Sequence, residues 1–67
     1  MKITLNNRPE ELYYPSLTVA ELLKVKKFSF KLLVIKINGK LVKKDEYGKA
    51  TITDGDDVSV LHLISGG

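Results

Sequence analysis

Thr18-Val19-Ala20-Glu21-Leu22-Leu23 is the stretch on which the fold turns. It has the form of a capping box, in which the Thr hydroxyl accepts the N3 amide and the Glu carboxylate reaches back to the cap amide. Val19, Leu22 and Leu23 then make an i, i+3, i+4 apolar stripe, so the spacing predicts a short amphipathic helix. Lysines follow it, and their charges suit the negative end of the helix dipole.

Strand patterns flank the helix on both sides. Upstream, Met1, Ile3 and Leu5 alternate with Lys2, Thr4 and Asn6, and Asn6-Asn7-Arg8-Pro9 supplies turn chemistry. A second strand is expected from Glu10 to Tyr14, with Leu12 and Tyr14 on one face and Pro15 ending the pairing because it lacks an N–H. Downstream, Leu32 to Asn38 is rich in branched residues and reads as a strand with Leu33, Ile35 and Ile37 inward. Asn38-Gly39 is a turn signal, after which Lys40 to Lys43 returns as a short edge strand guarded by its lysines. Asp45 to Gly48 reads as a turn or one helical loop, and Ala50 to Thr53 as a small strand. Beyond the Asp54-Gly55-Asp56 turn, Val58, Val60 and His62 alternate with Ser59, Leu61 and Leu63 in the last long strand.

A single amphipathic helix and a half-buried sheet solve each other's burial problem, so the expected architecture is a two-layer α+β domain. The sheet is mixed and four- to five-stranded, with the helix on one face. Pairing the first and last long strands in parallel at the centre gives the β-grasp arrangement. The expected organisation is a domain over residues 1–64 and a flexible tail over 65–67.

Composition narrows the function classes. The chain has 67 residues, enough for one core and too few for two. Its 43% hydrophobic and 28% charged residues are those of a soluble globular domain, without the run of roughly 20 apolar residues that spans a bilayer. There is no cysteine, which removes disulfides, thiolate metal sites and a thiol nucleophile. The start MKITLN lacks the apolar core of a secretory signal, so the cytoplasm is the expected compartment. Charge is uneven: residues 1–23 sum to −1, residues 24–49 to +7 with nine lysines and no arginine, and residues 50–67 to −3. Lysine is a flexible point charge rather than a bidentate fork, which fits a solvated face better than base reading.

The last strand and the tail beyond it bear on function. With Val58 and Val60 inward, Leu61 and Leu63 fall on the opposite face, and an apolar sheet face beside a chain end reads as a docking patch. After Ile64 the sequence ends Ser65-Gly66-Gly67. Glycines without Cβ atoms can enter a channel too narrow for other residues, which leaves the carboxylate of Gly67 as the reactive group. A carboxylate is a poor electrophile, because its leaving group would be oxide. Its chemistry begins with attack on an activated phosphate, so ATP would give an acyl-adenylate, and an amine or a sulfur donor would then displace AMP. The chain has no Gly-rich phosphate loop, metal set or triad, so activation is expected from another protein.

Ile37-Asn38-Gly39-Lys40-Leu41-Val42, Asp54-Gly55-Asp56 leading into Val58-Ser59-Val60-Leu61-His62, the Gly66-Gly67 end, the start MKITLNN and the Thr18 to Leu23 helix together resemble the ThiS family, the small sulfur carrier proteins of thiamine biosynthesis. The resemblance covers essentially the whole chain. It implies a ubiquitin-like β-grasp domain whose Gly67 is adenylated by a ubiquitin-activating-type adenylyltransferase using ATP. A sulfur-donor protein then supplies the sulfur of a Gly67 thiocarboxylate. It further implies delivery of that sulfur to thiazole synthase, which builds the thiazole of thiamine from a deoxyxylulose phosphate and a glycine-derived imine. The chain would be a co-substrate, monomeric when free, with no cofactor of its own. Leu61, Leu63 and Ile64 fall where such carriers present their docking surface.

Two other readings stand beside this one. The sulfur carrier subunit of molybdopterin synthase shares the fold and the diglycine end, but those chains are usually longer after the first helix, whereas here about four residues, Lys27 to Phe30, are expected to separate helix from strand. A basic β-grasp module binding RNA would use the nine lysines and give the diglycine no role. Asp54-Gly55-Asp56-Asp57 lacks the length and closing Glu of a calcium loop and reads as a turn. His62 has no second base or nucleophile near it in sequence and reads as a strand residue. The scattered tyrosines and phenylalanines are better explained by packing than by base stacking.

Overall fold

The computed structural model describes residues 1–28 and 33–62. Seven strands, one α-helix and one 3₁₀ turn follow in the order β1 (Lys2–Leu5), β2 (Arg8–Glu11), β3 (Leu17–Thr18), α1 (Val19–Val25), β4 (Leu33–Ile37), β5 (Lys40–Val42), the 3₁₀ turn Lys44–Glu46, β6 (Thr51–Ile52) and β7 (Asp57–His62). The main sheet is mixed and five-stranded in the order β2-β1-β7-β4-β5, and β3 and β6 form a separate two-stranded ladder. β1 and β7 lie parallel, Thr4 opposite Asp57 and Leu5 opposite Val58, while every other pairing is antiparallel. This is the β-grasp arrangement expected from the strand and helix pattern.

The capping box forms as the residues predict. Thr18 N–H donates to Glu21 Oε1 at 2.9 Å and Glu21 N–H to Thr18 Oγ1 at 3.2 Å. The other two free amides of the first turn find carbonyls in the loop before β6: Val19 N–H donates to Ala50 and Ala20 N–H to Tyr47, both at 2.9 Å. The helix start is therefore tied to tertiary structure as well as to its own cap. At the other end Lys27 adopts φ 58°, Phe28 N–H reaches Leu23 C=O and Lys27 N–H reaches Lys24 C=O, which is a Schellman closure with lysine at the position glycine usually takes. That closure uses residues as far as Phe28, and the rest of the connection expected over Lys27 to Phe30 lies outside the described residues.

One apolar cluster joins helix and sheet. Ile3 and Leu5 of β1, Ile35 of β4, Val42 of β5 and Val58 and Val60 of β7 bury their side chains together with Val19 and Leu22 of α1, and Leu12, Leu17 and Ile52 complete it. Leu33 and Ile37 are half-buried against the same cluster, as the alternation predicts.

Two local expectations are corrected. The second strand is Arg8–Glu11, not Glu10 to Tyr14, because Asn6 and Asn7 make a two-residue turn with φ 52° and 66° and the chain re-enters the sheet at once. Pro9 falls opposite Thr4, between the hydrogen-bonded pairs, where its missing N–H would face outward from the sheet edge. Leu12 is still buried, but Tyr14 is 46% exposed and Tyr13 90%, so they do not share a face with the core. The second difference is β3, which no periodicity announced; its two residues are held by the ladder to Thr51–Ile52.

β7 is gripped from both edges by asparagines of the two hairpin turns. Asn6 N–H donates to Val58 C=O at 2.9 Å, and its side-chain Oδ1 accepts Val60 N–H at 2.8 Å, extending the β1 ladder by one rung after the backbone has turned away. On the other edge Asn38 Oδ1 accepts Asp57 N–H at 2.9 Å while Asn38 N–H donates to Asp57 C=O at 2.7 Å. Both asparagines have φ 52°, the left-handed conformation that Asn tolerates best after Gly.

Two outcomes are expected in urea titration and hydrogen exchange. Ile35→Ala, at a side chain with no exposed surface, costs about 2 to 5 kcal/mol, a large share of the total for a chain of this size. Asn6→Gly keeps the turn conformation but strands the Val60 amide, costing about 1 to 3 kcal/mol and accelerating exchange at Val60 before other β7 amides.

Candidate partner-docking face

The face of the sheet away from α1 is built by the same alternation that builds the core. Leu61 lies on it, 56% exposed, as expected from Val58 and Val60 turning inward. Register brings two further apolar residues beside it. Val34 is opposite Leu61 across β4–β7, and Lys36 of β4 is opposite both Ser59 of β7 and Leu41 of β5, so Leu41 lies one row along on the same face. Leu41 is 59% exposed and Val34 half-buried. These two were missed from sequence, although the signal was present: if Leu33, Ile35 and Ile37 point inward, Val34 must point outward, and Val42 inward requires Leu41 outward.

Leaving Leu41 and Leu61 in water forgoes roughly 1.5 to 3 kcal/mol apiece in full burial, so two such leucines on one face mark a surface that a partner can cover. The patch spans β4, β5 and β7, and its β7 member Leu61 is on the strand that leads toward Gly66 and Gly67. Of the residues expected to dock or react, Leu63, Ile64, Ser65, Gly66 and Gly67 lie outside the described residues. His62 is exposed at the end of β7.

The opposite end of β7 is fixed by carboxylates acting as backbone acceptors. Asp54 Oδ1 accepts Lys2 N–H at 2.6 Å and Asp56 Oδ2 accepts Thr53 N–H at 3.0 Å, while Asn38 Nδ2 donates to Asp56 Oδ1 at 3.1 Å. Gly55, with φ 88°, makes the turn between them. The aspartates are thus occupied in turn chemistry, as their spacing around Gly55 predicts. Among the described residues no group of three His, Asp or Glu side chains could hold a metal ion, and no helix is long and apolar enough to cross a membrane.

Comparison with known proteins places this geometry. The model of the ThiS family matches residues 3–67. The crystal structure of thiamine biosynthesis protein ThiS from Geobacter metallireducens superposes with a TM-score of 0.89 at 30% sequence identity, covering 100% of both chains. The NMR solution structure of a thiamine biosynthesis protein from the same organism gives a TM-score of 0.82 at 30% identity, covering 100% of this chain and 88% of that one. No curated protein sequence matches significantly. A match over nearly the full length, the same fold at 30% identity and the mixed sheet with its parallel β1–β7 centre lead to one conclusion: the chain belongs to the ThiS family, the small sulfur carrier proteins of thiamine biosynthesis, which are carriers and not catalysts.

Proposed function

We propose that this chain carries sulfur as a thiocarboxylate on Gly67 and docks its enzymes through the β7 face. The observation that supports this most directly is the apolar patch that Val34, Leu41 and Leu61 form across the neighbouring strands β4, β5 and β7, with β7 the strand leading toward a diglycine. In this reading residues 1–64 are the grip, with Leu63 and Ile64 continuing the docking surface, and Ser65-Gly66-Gly67 is the arm that enters the active site of the partner.

The chemistry stems from the carboxylate. An oxygen of Gly67 attacks the α-phosphorus of ATP in a ubiquitin-activating-type adenylyltransferase, pyrophosphate leaves, and the acyl-adenylate forms. Sulfide-level sulfur from a donor protein attacks the acyl carbon, a C–S bond replaces the C–O bond to AMP, and AMP departs with the electron pair. Thiazole synthase then takes the sulfur into its substrate: the acyl C–S bond breaks as an oxygen from water or from the substrate's carbonyl bonds the acyl carbon, and the carboxylate is regenerated. The carrier binds no cofactor of its own, works as a monomer in the cytoplasm, and leaves ATP to its partner.

Incubation with the cognate adenylyltransferase, ATP and a sulfur donor is expected to raise the intact mass by about 16 Da, one oxygen exchanged for sulfur. Deleting Gly67 is expected to abolish that gain with unchanged urea stability. Absence of the gain with the full-length chain, in a mixture that converts a known carrier, would overturn the reading. Leu61→Ser is expected to keep the fold, since the side chain is more than half exposed, while lowering the kcat/KM of thiocarboxylate formation by about tenfold or more.

A further inference from the structure

The outer sheet face has two electrostatic halves. On β1–β2, Lys2 Nζ lies 3.8 Å from Glu11 Oε2, so cation and anion answer each other. On β4–β5–β7, Lys36 stands between Leu41 and Ser59 in one cross-strand row, with Val34 and Leu61 in the next, and among the described residues it has no ion-pair partner. Lys43 follows Leu41 by two residues in extended backbone, so positive charge also borders the patch on the β5 side.

This placement constrains whatever covers the leucines. A partner surface that buries Val34, Leu41 and Leu61 must also pass over Lys36, because the lysine sits within their rows and not beyond them. Covering an ammonium with apolar surface alone removes its hydration without compensation, which opposes binding; a carboxylate placed opposite it reverses the sign. Reach constrains every partner that acts on Gly67, and the adenylyltransferase is the one that meets its free carboxylate. Gly67 is five residues beyond His62, and a fully extended chain spans at most about 3.3 to 3.6 Å per residue, so Gly67 lies within roughly 18 Å of the end of β7. An enzyme acting on the Gly67 carboxylate has to hold the domain close to this patch.

We propose that the adenylyltransferase that activates Gly67 covers Val34, Leu41 and Leu61 with an apolar surface bearing a carboxylate opposite Lys36; the inference rests on the carrier reading above. Lys36 thereby selects an acidic apolar docking surface, and the positive middle of the sequence acquires a role at one defined position.

The test measures kcat/KM for thiocarboxylate formation at low and at high salt for the unaltered chain, Lys36→Glu, Lys36→Leu and Lys24→Glu, the last making the same charge change on exposed α1 surface. Urea titration of each variant verifies folding. Lys36→Glu is expected to lower kcat/KM about tenfold at low salt, mainly through KM, with the gap narrowing at high salt, while Lys24→Glu stays within about twofold. Lys36→Leu is expected to fall in the same direction as Lys36→Glu. Equal effects of Lys36→Glu and Lys24→Glu, or a gain from Lys36→Leu, with the unaltered chain fully converted, would overturn the inference and leave the carrier reading intact. No conversion of the unaltered chain at any salt would overturn both.

Discussion

Everything in this domain depends on β7 being paired along both edges. β1 and β2 form one hairpin, β4 and β5 another, and the two meet only through β7. On one edge the pairing is parallel and short, two residues of register with β1; on the other it is antiparallel and runs from Val58 to His62 against β4. The short edge is the weak one, and the Asn6 side chain supplies the rung that the β1 backbone cannot, because the chain has already turned toward β2. An asparagine in each hairpin turn therefore serves twice, accepting a β7 amide and occupying the left-handed conformation that a two-residue turn requires.

The same alternation that buries β7 builds the outer apolar face proposed for docking. Because successive side chains point to opposite sides, burying Val58 and Val60 under α1 leaves Ser59 and Leu61 outward, and pairing with β4 and β5 lines up Val34, Lys36 and Leu41 beside them. Core and outer apolar face are two readings of one register. A slip of one residue in the β4–β7 pairing would exchange them, bringing Leu61 to the core side and Val60 to the outside. Stability and the proposed partner surface therefore depend together on the pairing of these strands.

Most of the architecture was legible because each element carried its own chemistry. Thr18 and Glu21 announced the helix start, the alternation in β1, β4 and β7 announced the faces, and Asn38-Gly39 and Asp54-Gly55 announced turns; all of these formed. What stayed hidden was set by tertiary pairing. Leu17–Thr18 is too short to show a period and becomes a strand only because Thr51–Ile52 lies beside it. Tyr14 fits the alternating pattern of a longer second strand, but the tight Asn6-Asn7 turn brings that strand to its end at Glu11. Leu41 and Val34 could each be assigned outward from sequence, yet only the cross-strand register brings them together with Leu61 around Lys36. The end proposed to react was readable as chemistry, through Gly66 and Gly67 following an apolar strand, rather than as geometry.

The position of β7 also bears on synthesis. Of the described strands it is the last in the chain and the central one in the sheet, and its partners β1 and β4 begin 55 and 24 residues earlier. Before residues 57–62 emerge, the two hairpins share no strand, Ile35 and Ile3 lack the valines that close the core, and loop closure offers little return. A chain that ends before β7 would have neither the five-stranded sheet nor Leu61, so it would lack the face proposed to meet the activating enzyme.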